Sequence, residues 1–84
     1  MNVRELFGYE LTCKMSIGLK NSPEYSKKEF QVVFKDDDDY ESGYMATVSG
    51  YTDEEEFFSD DWDGKIIANH ILFGDWDIIS KKSI

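Results

Sequence analysis

Residues 9–20 alternate without exception, with Tyr9, Leu11, Cys13, Met15, Ile17 and Leu19 interleaved with Glu10, Thr12, Lys14, Ser16, Gly18 and Lys20. A period of two puts every apolar side chain on one face of an extended chain. The segment is therefore expected as a strand with one buried and one wet face, the habit of antiparallel sheets. Asn21-Ser22-Pro23 carries turn chemistry, because Asn tolerates unusual backbone angles and Pro fixes its own. Phe30, Val32 and Phe34 then form the apolar side of a second strand against Glu29, Gln31 and Lys35, with Val33 out of pattern. A third alternating segment sets Tyr44, Ala46 and Val48 against Met45, Thr47 and Ser49, which makes Asp36, Asp37, Asp38 and Asp39 the hairpin connection.

Beyond this point the pattern predicts a helix. Thr52 and Glu55 have the spacing of a capping box, the acids from Asp53 to Glu56 suit the positive end of a helix dipole, and Phe58 and Trp62 stand four apart as an inward stripe. Gly64 interrupts it. Residues 66–73 fit either helix or strand, and strand is the preferred assignment. Gly74-Asp75 fits a two-residue hairpin turn leading into Trp76, Ile78 and Ser80 on one face. The fold class is α+β: an antiparallel sheet of about four or five strands with one short helix packed on it, in a single domain over residues 1–84.

Composition excludes several functions. The formal net charge is -9, from nine Lys and Arg against eighteen Asp and Glu, which leaves no basic face for direct binding of nucleic acid or an anionic membrane. With 40% hydrophobic and 15% aromatic residues the chain is too apolar for an acidic disordered tail. The first residues lack an apolar run of signal-peptide length and nothing approaches a membrane span, so a bacterial cytoplasm is the expected compartment. Cys13, the single cysteine, falls on the apolar parity of the first strand and reads as core. His70, the single histidine, reads as a satisfied or half-exposed sheet residue rather than a general base.

No phosphate-binding glycine motif occurs. Asp60-Asp61-Trp62-Asp63-Gly64 resembles the front of a calcium loop, but with Gly64 at the sixth position the first and twelfth become Ser59 and His70, so both anchoring carboxylates are missing. Neither a metal, a cofactor nor an enzymatic reaction is expected.

The acids are unevenly placed. Twelve of the eighteen lie between Asp36 and Gly64, a stretch without one Lys or Arg: Asp36, Asp37, Asp38, Asp39, Glu41, Asp53, Glu54, Glu55, Glu56, Asp60, Asp61 and Asp63. A surface made only for solubility mixes signs, whereas a one-sign field costs stability through self-repulsion. Imitation of nucleic acid supplies a compensating gain, since carboxylates fixed on a sheet and helix at several-ångström spacing stand in for phosphates. The expected partner-binding set is that block without Glu55, joined by the surface aromatics Tyr40, Tyr51 and Phe57, while Phe58 and Trp62 are expected inside.

Tyr51-Thr52-Asp53-Glu54-Glu55-Glu56-Phe57-Phe58-Ser59-Asp60 resembles an acidic segment of the small phage anti-CRISPR proteins that inhibit Cas9, which are likewise acidic and α+β. The resemblance implies an inhibitor seated on the site where the nuclease reads its protospacer-adjacent motif, with acids facing the arginines that read it. The leading expectation is thus a phage-encoded DNA mimic that binds a basic host nuclease and evades defence. The alternatives are an immunity protein for a basic toxin enzyme, or a phage structural or assembly protein with incidental acidity. A homodimer stays open.

Overall fold

The computed structural model describes residues 2–15, 29–52 and 54–84. Residues 16–20, the turn at Asn21-Ser22-Pro23 and Asp53 lie outside them. The expected alternation appears as β1 (Tyr9–Met15), β2 (Glu29–Asp36) and β3 (Tyr44–Tyr51), joined antiparallel with Leu11 opposite Val32 and Val32 opposite Val48. With β4 (Phe57–Asp63) and β5 (Trp76–Ser83) they form one five-stranded antiparallel sheet, in the order β4-β3-β2-β1-β5. A 3-10 helix, Val3–Leu6, precedes it, and α1 (Gly64–Leu72) links β4 on one edge to β5 on the other by crossing one sheet face.

That face is the core. Leu11, Cys13, Phe30, Val32, Phe34, Ala46 and Val48 point into it from the three central strands, and Ile67, Ala68 and Ile71 close it from the helix. Leu6 seals one end, and Phe7 stacks on Phe34 with ring centroids 5.8 Å apart. The opposite face carries Thr12, Gln31, Val33, Thr47 and Ser49, half-buried in the sheet surface. Burial raises the Cys13 thiol to about 12. The folded protein is therefore expected to resist thiol reagents at neutral pH, with labelling that tracks unfolding. Rapid stoichiometric labelling in native buffer would contradict this.

Several sequence expectations fail, each for a physical reason. Residues 57–63 are not a helix with Phe58 and Trp62 as its stripe but the edge strand β4. A spacing of four is even as well as helical, so it fits either period, and pairing with β3 satisfies backbone groups that an open edge would leave to water. Thr52 does bond as a cap would, but in a hairpin turn: its hydroxyl accepts the Glu56 N–H at 3.2 Å, its carbonyl accepts the Glu55 N–H at 2.9 Å, and Glu55 turns the chain at φ 63°.

Residues 66–73, assigned above to a strand, instead belong mostly to α1, because Ile67, Ala68 and Ile71 bury at helical spacing while Asp63 caps the start. His70 consequently lies on α1 rather than in the sheet. Gly74-Asp75 is not a hairpin turn, since Gly74 at φ 84° ends the helix with its N–H on the Ile71 carbonyl. Finally, a bulge in the β1–β5 ladder pairs Thr12 with Ser80 but Cys13 with Ile78, so Ser80 leaves the face that Trp76 and Ile78 share.

Candidate partner-binding surface

Apart from Asp36 at the end of β2, the described acids of the block lie along one margin of the sheet, composed of edge strand β4 and the turns at the two ends of β3. At the first end, the β2–β3 connection is fixed by its own hydrogen bonds. Asp37 N–H donates to the Gly43 carbonyl at 3.0 Å, Gly43 N–H to the Tyr40 carbonyl at 2.9 Å, and Asp39 N–H to Asp37 Oδ1 at 2.9 Å. Gly43 has φ 85°, a conformation that disfavours a side chain and lets the loop re-enter β3. This arrangement sets Asp37 and Asp39 near a half-buried Tyr40, with Asp38 and Glu41 exposed in the same connection.

Strand β4 brings two more carboxylates to the same place. Asp61 and Asp63 are the partners of Thr47 and Met45 across the ladder, and Thr47 donates its hydroxyl to Asp61 Oδ1 at 2.7 Å. The Tyr40 phenol is pushed above its ordinary range, first by partial desolvation and then by Asp61, Asp37, Asp63 and Asp39. Residues up to 26 positions apart in sequence thus share one electrostatic neighbourhood. A neutral phenol surrounded by carboxylates can donate a hydrogen bond while the acids meet cations.

The remaining acids divide by role. Asp36 ends β2 in an ion pair with Arg4, and that guanidinium also lies over the Phe7 ring, so the Asp36 charge is largely answered within the chain. Asp63 is the N-cap of α1. It accepts the Ser42 hydroxyl at 2.6 Å and the Lys65 N–H at 2.9 Å, and these bonds hold its carboxyl below the usual range. Because the folded value is the lower one, the stabilisation is present at neutral pH and lost as pH falls through that value. Asp63→Ala is expected to lower the urea midpoint at pH 7, with the deficit narrowing below about pH 4. A deficit independent of pH would contradict the capping role.

Asp60 pairs opposite Val48 and so projects on the helix side of β4, whereas Asp61 projects on the open side. Glu54 and Glu56 occupy the turn at the far end of β3, exposed. Within β4 the acids run from Asp60 to Asp63, about 10 Å at a strand rise of about 3.3 Å. That length covers about three phosphate steps of a DNA strand. The array is a ridge seen edge-on rather than one flat face, and no carboxylate sits on α1.

Of the aromatics, Tyr51 and Phe57 are exposed and meet edge to face at 5.5 Å. Phe58 packs half-buried against the core, but Trp62 is 47% exposed, contrary to its expected burial, because it stands on the outermost strand. Sequence reasoning missed Ser42, Thr47 and Arg4, the residues that orient or neutralise individual acids. Only the β3–β4 register could have revealed the partnership of Thr47 with Asp61. Among the described residues no group of three or more His, Cys, Asp or Glu is placed to hold a metal ion, and no helix is long and apolar enough to cross a membrane.

The fold and this margin define a small α+β protein with a rigid anionic edge. Compared with protein-family models, with curated proteins and with solved structures, the chain matches none.

Proposed function

We propose that the chain is a non-catalytic, phage-encoded inhibitor that acts in the bacterial cytoplasm by presenting the β4 margin to a basic, nucleic-acid-binding host nuclease in place of DNA. The observation that carries this is the convergence of Asp37, Asp39 and Asp61 around Tyr40, where a loop bonded to itself and a paired strand hold like charges together. Holding them so is unfavourable in the isolated protein and becomes favourable opposite a cationic groove. The ridge has the length of a short run of phosphates, and the resemblance at residues 51–60 makes Cas9 one candidate target. An immunity protein would use the same chemistry against a toxin enzyme, and identifying the partner separates the two.

Capture from a nuclease-treated bacterial lysate, followed by challenge with duplex DNA, tests the proposal. A basic nucleic-acid-binding protein should be retained and then released as DNA is added. Retention of a protein indifferent to DNA would overturn it.

A further inference from the structure

On the helix side of the same margin lies a groove of about 280 Å³ that the acidic ridge does not account for. Its floor is formed by the buried Phe30, Val48 and Ile67, and its walls by Tyr51, Phe58, Trp62 and Trp76. Tyr51, the last residue of β3, is 61% exposed and Trp62, on the edge strand, is 47% exposed. Such a cluster of large exposed apolar groups on a small protein marks a contact surface. Two carboxylates, Asp60 and Glu29, line the groove and are themselves exposed, so they stand at its mouth.

Aromatic walls, an apolar floor and a carboxylate mouth are together the complement of one chemistry: a long apolar stem ending in a cation. Aromatic faces attract a guanidinium through the ring quadrupole, Trp most strongly, while methylenes pack on the floor and carboxylates accept the N–H groups. A purely apolar anchor would leave Asp60 and Glu29 without a role, and an anion would be repelled by them.

We infer that the groove receives an arginine side chain of the basic partner, adding a stacked anchor beside the ridge. The inference rests on the proposed function for the identity of the partner but not for the chemistry of the groove. Asp60 joins the two surfaces, because it stands on β4 within the ridge while its side chain lines the groove.

The test uses the isolated protein and Nα-acetyl-arginine amide, followed by NMR at the indole N–H groups of Trp62 and Trp76, with Nα-acetyl-norleucine amide as the uncharged control. Saturable shifts with the arginine probe are expected, together with at least about fivefold weaker binding of the norleucine probe. Trp62→Leu, which keeps apolar bulk, and Asp60→Asn, which keeps shape, should each weaken the arginine probe by about fivefold, with amide spectra reporting an intact fold. Glu5→Gln, in the 3-10 helix and outside both surfaces, should leave it unchanged. Equal binding of both probes, or no saturation, would overturn the inference even if DNA releases the captured partner. Arginine binding without release by DNA would preserve it and remove the nuclease.

Discussion

Asp37→Asn, Asp39→Asn and Asp61→Asn combined in one chain will lower affinity for the captured partner by about a hundredfold to a thousandfold. Each exposed charge opposite a cation contributes about 1 kcal/mol or somewhat more once water is excluded, so three amount to about 3–4 kcal/mol. Asparagine retains Oδ1, which leaves the Asp37 acceptor for Asp39 N–H and the Asp61 acceptor for the Thr47 hydroxyl in place. The fold should therefore survive. Relief of repulsion around Tyr40 should leave the melting temperature unchanged or raise it. Weaker binding joined to undiminished stability distinguishes a surface kept for a partner from one kept for the fold. Binding within about twofold of the parent chain would remove these carboxylates from the interface.

Gly64→Ala will destabilise the protein by about 1–3 kcal/mol, a loss of roughly 5–20 °C in melting temperature for a domain of this size. In an open helix the same change would stabilise by about 1 kcal/mol, so the sign itself is informative. Gly64 is the first residue of α1 and is buried, and a Cβ built on it would lie 2.5 Å from Tyr44 Cε2 and closer still to Cδ2. The Tyr44 ring cannot simply move aside, since Phe7 and Phe34 stand 5.7 and 6.2 Å from it, centroid to centroid. Only glycine lets the helix start close enough to β3 for Asp63 to meet both Ser42 and Lys65. Shortening the ring in a Tyr44→Leu background should recover part of the loss, measured as a coupling in a double-mutant cycle. An alanine variant as stable as the parent would show that the approach is not tight.

The central sheet was legible because Leu11, Cys13, Val32, Phe34, Ala46 and Val48 are buried on one face only, and a one-sided strand writes a period of two into the sequence. The edge was not. Strand β4 buries almost nothing, so burial imposed no pattern on Phe57–Asp63, and the even spacing of Phe58 and Trp62 suited two periods. The helix was obscured for the opposite reason: Ile66, Leu72 and Phe73 are apolar yet exposed, which blurred the stripe of Ile67, Ala68 and Ile71.

In the candidate surface, composition located the acids but could not sort them. Asp36 answered by Arg4 and Asp63 spent on a helix cap look no different in sequence from Asp39, and only the pairing of distant strands tells them apart. The closeness of Tyr40 to Asp61 is likewise a property of the β3–β4 register.

An amide chemical-shift footprint of the labelled protein with its captured partner, recorded before and after excess duplex DNA, bears most directly on whether this edge is mistaken for a polynucleotide. Perturbations should concentrate in residues 37–43, along β4 and at the groove residue Trp76, spare residues 80–83 of β5 on the opposite margin, and return to the unbound positions as DNA displaces the protein. A footprint centred on residues 9–12 of β1 and 80–83 of β5, or one that persists in saturating DNA, would contradict the account.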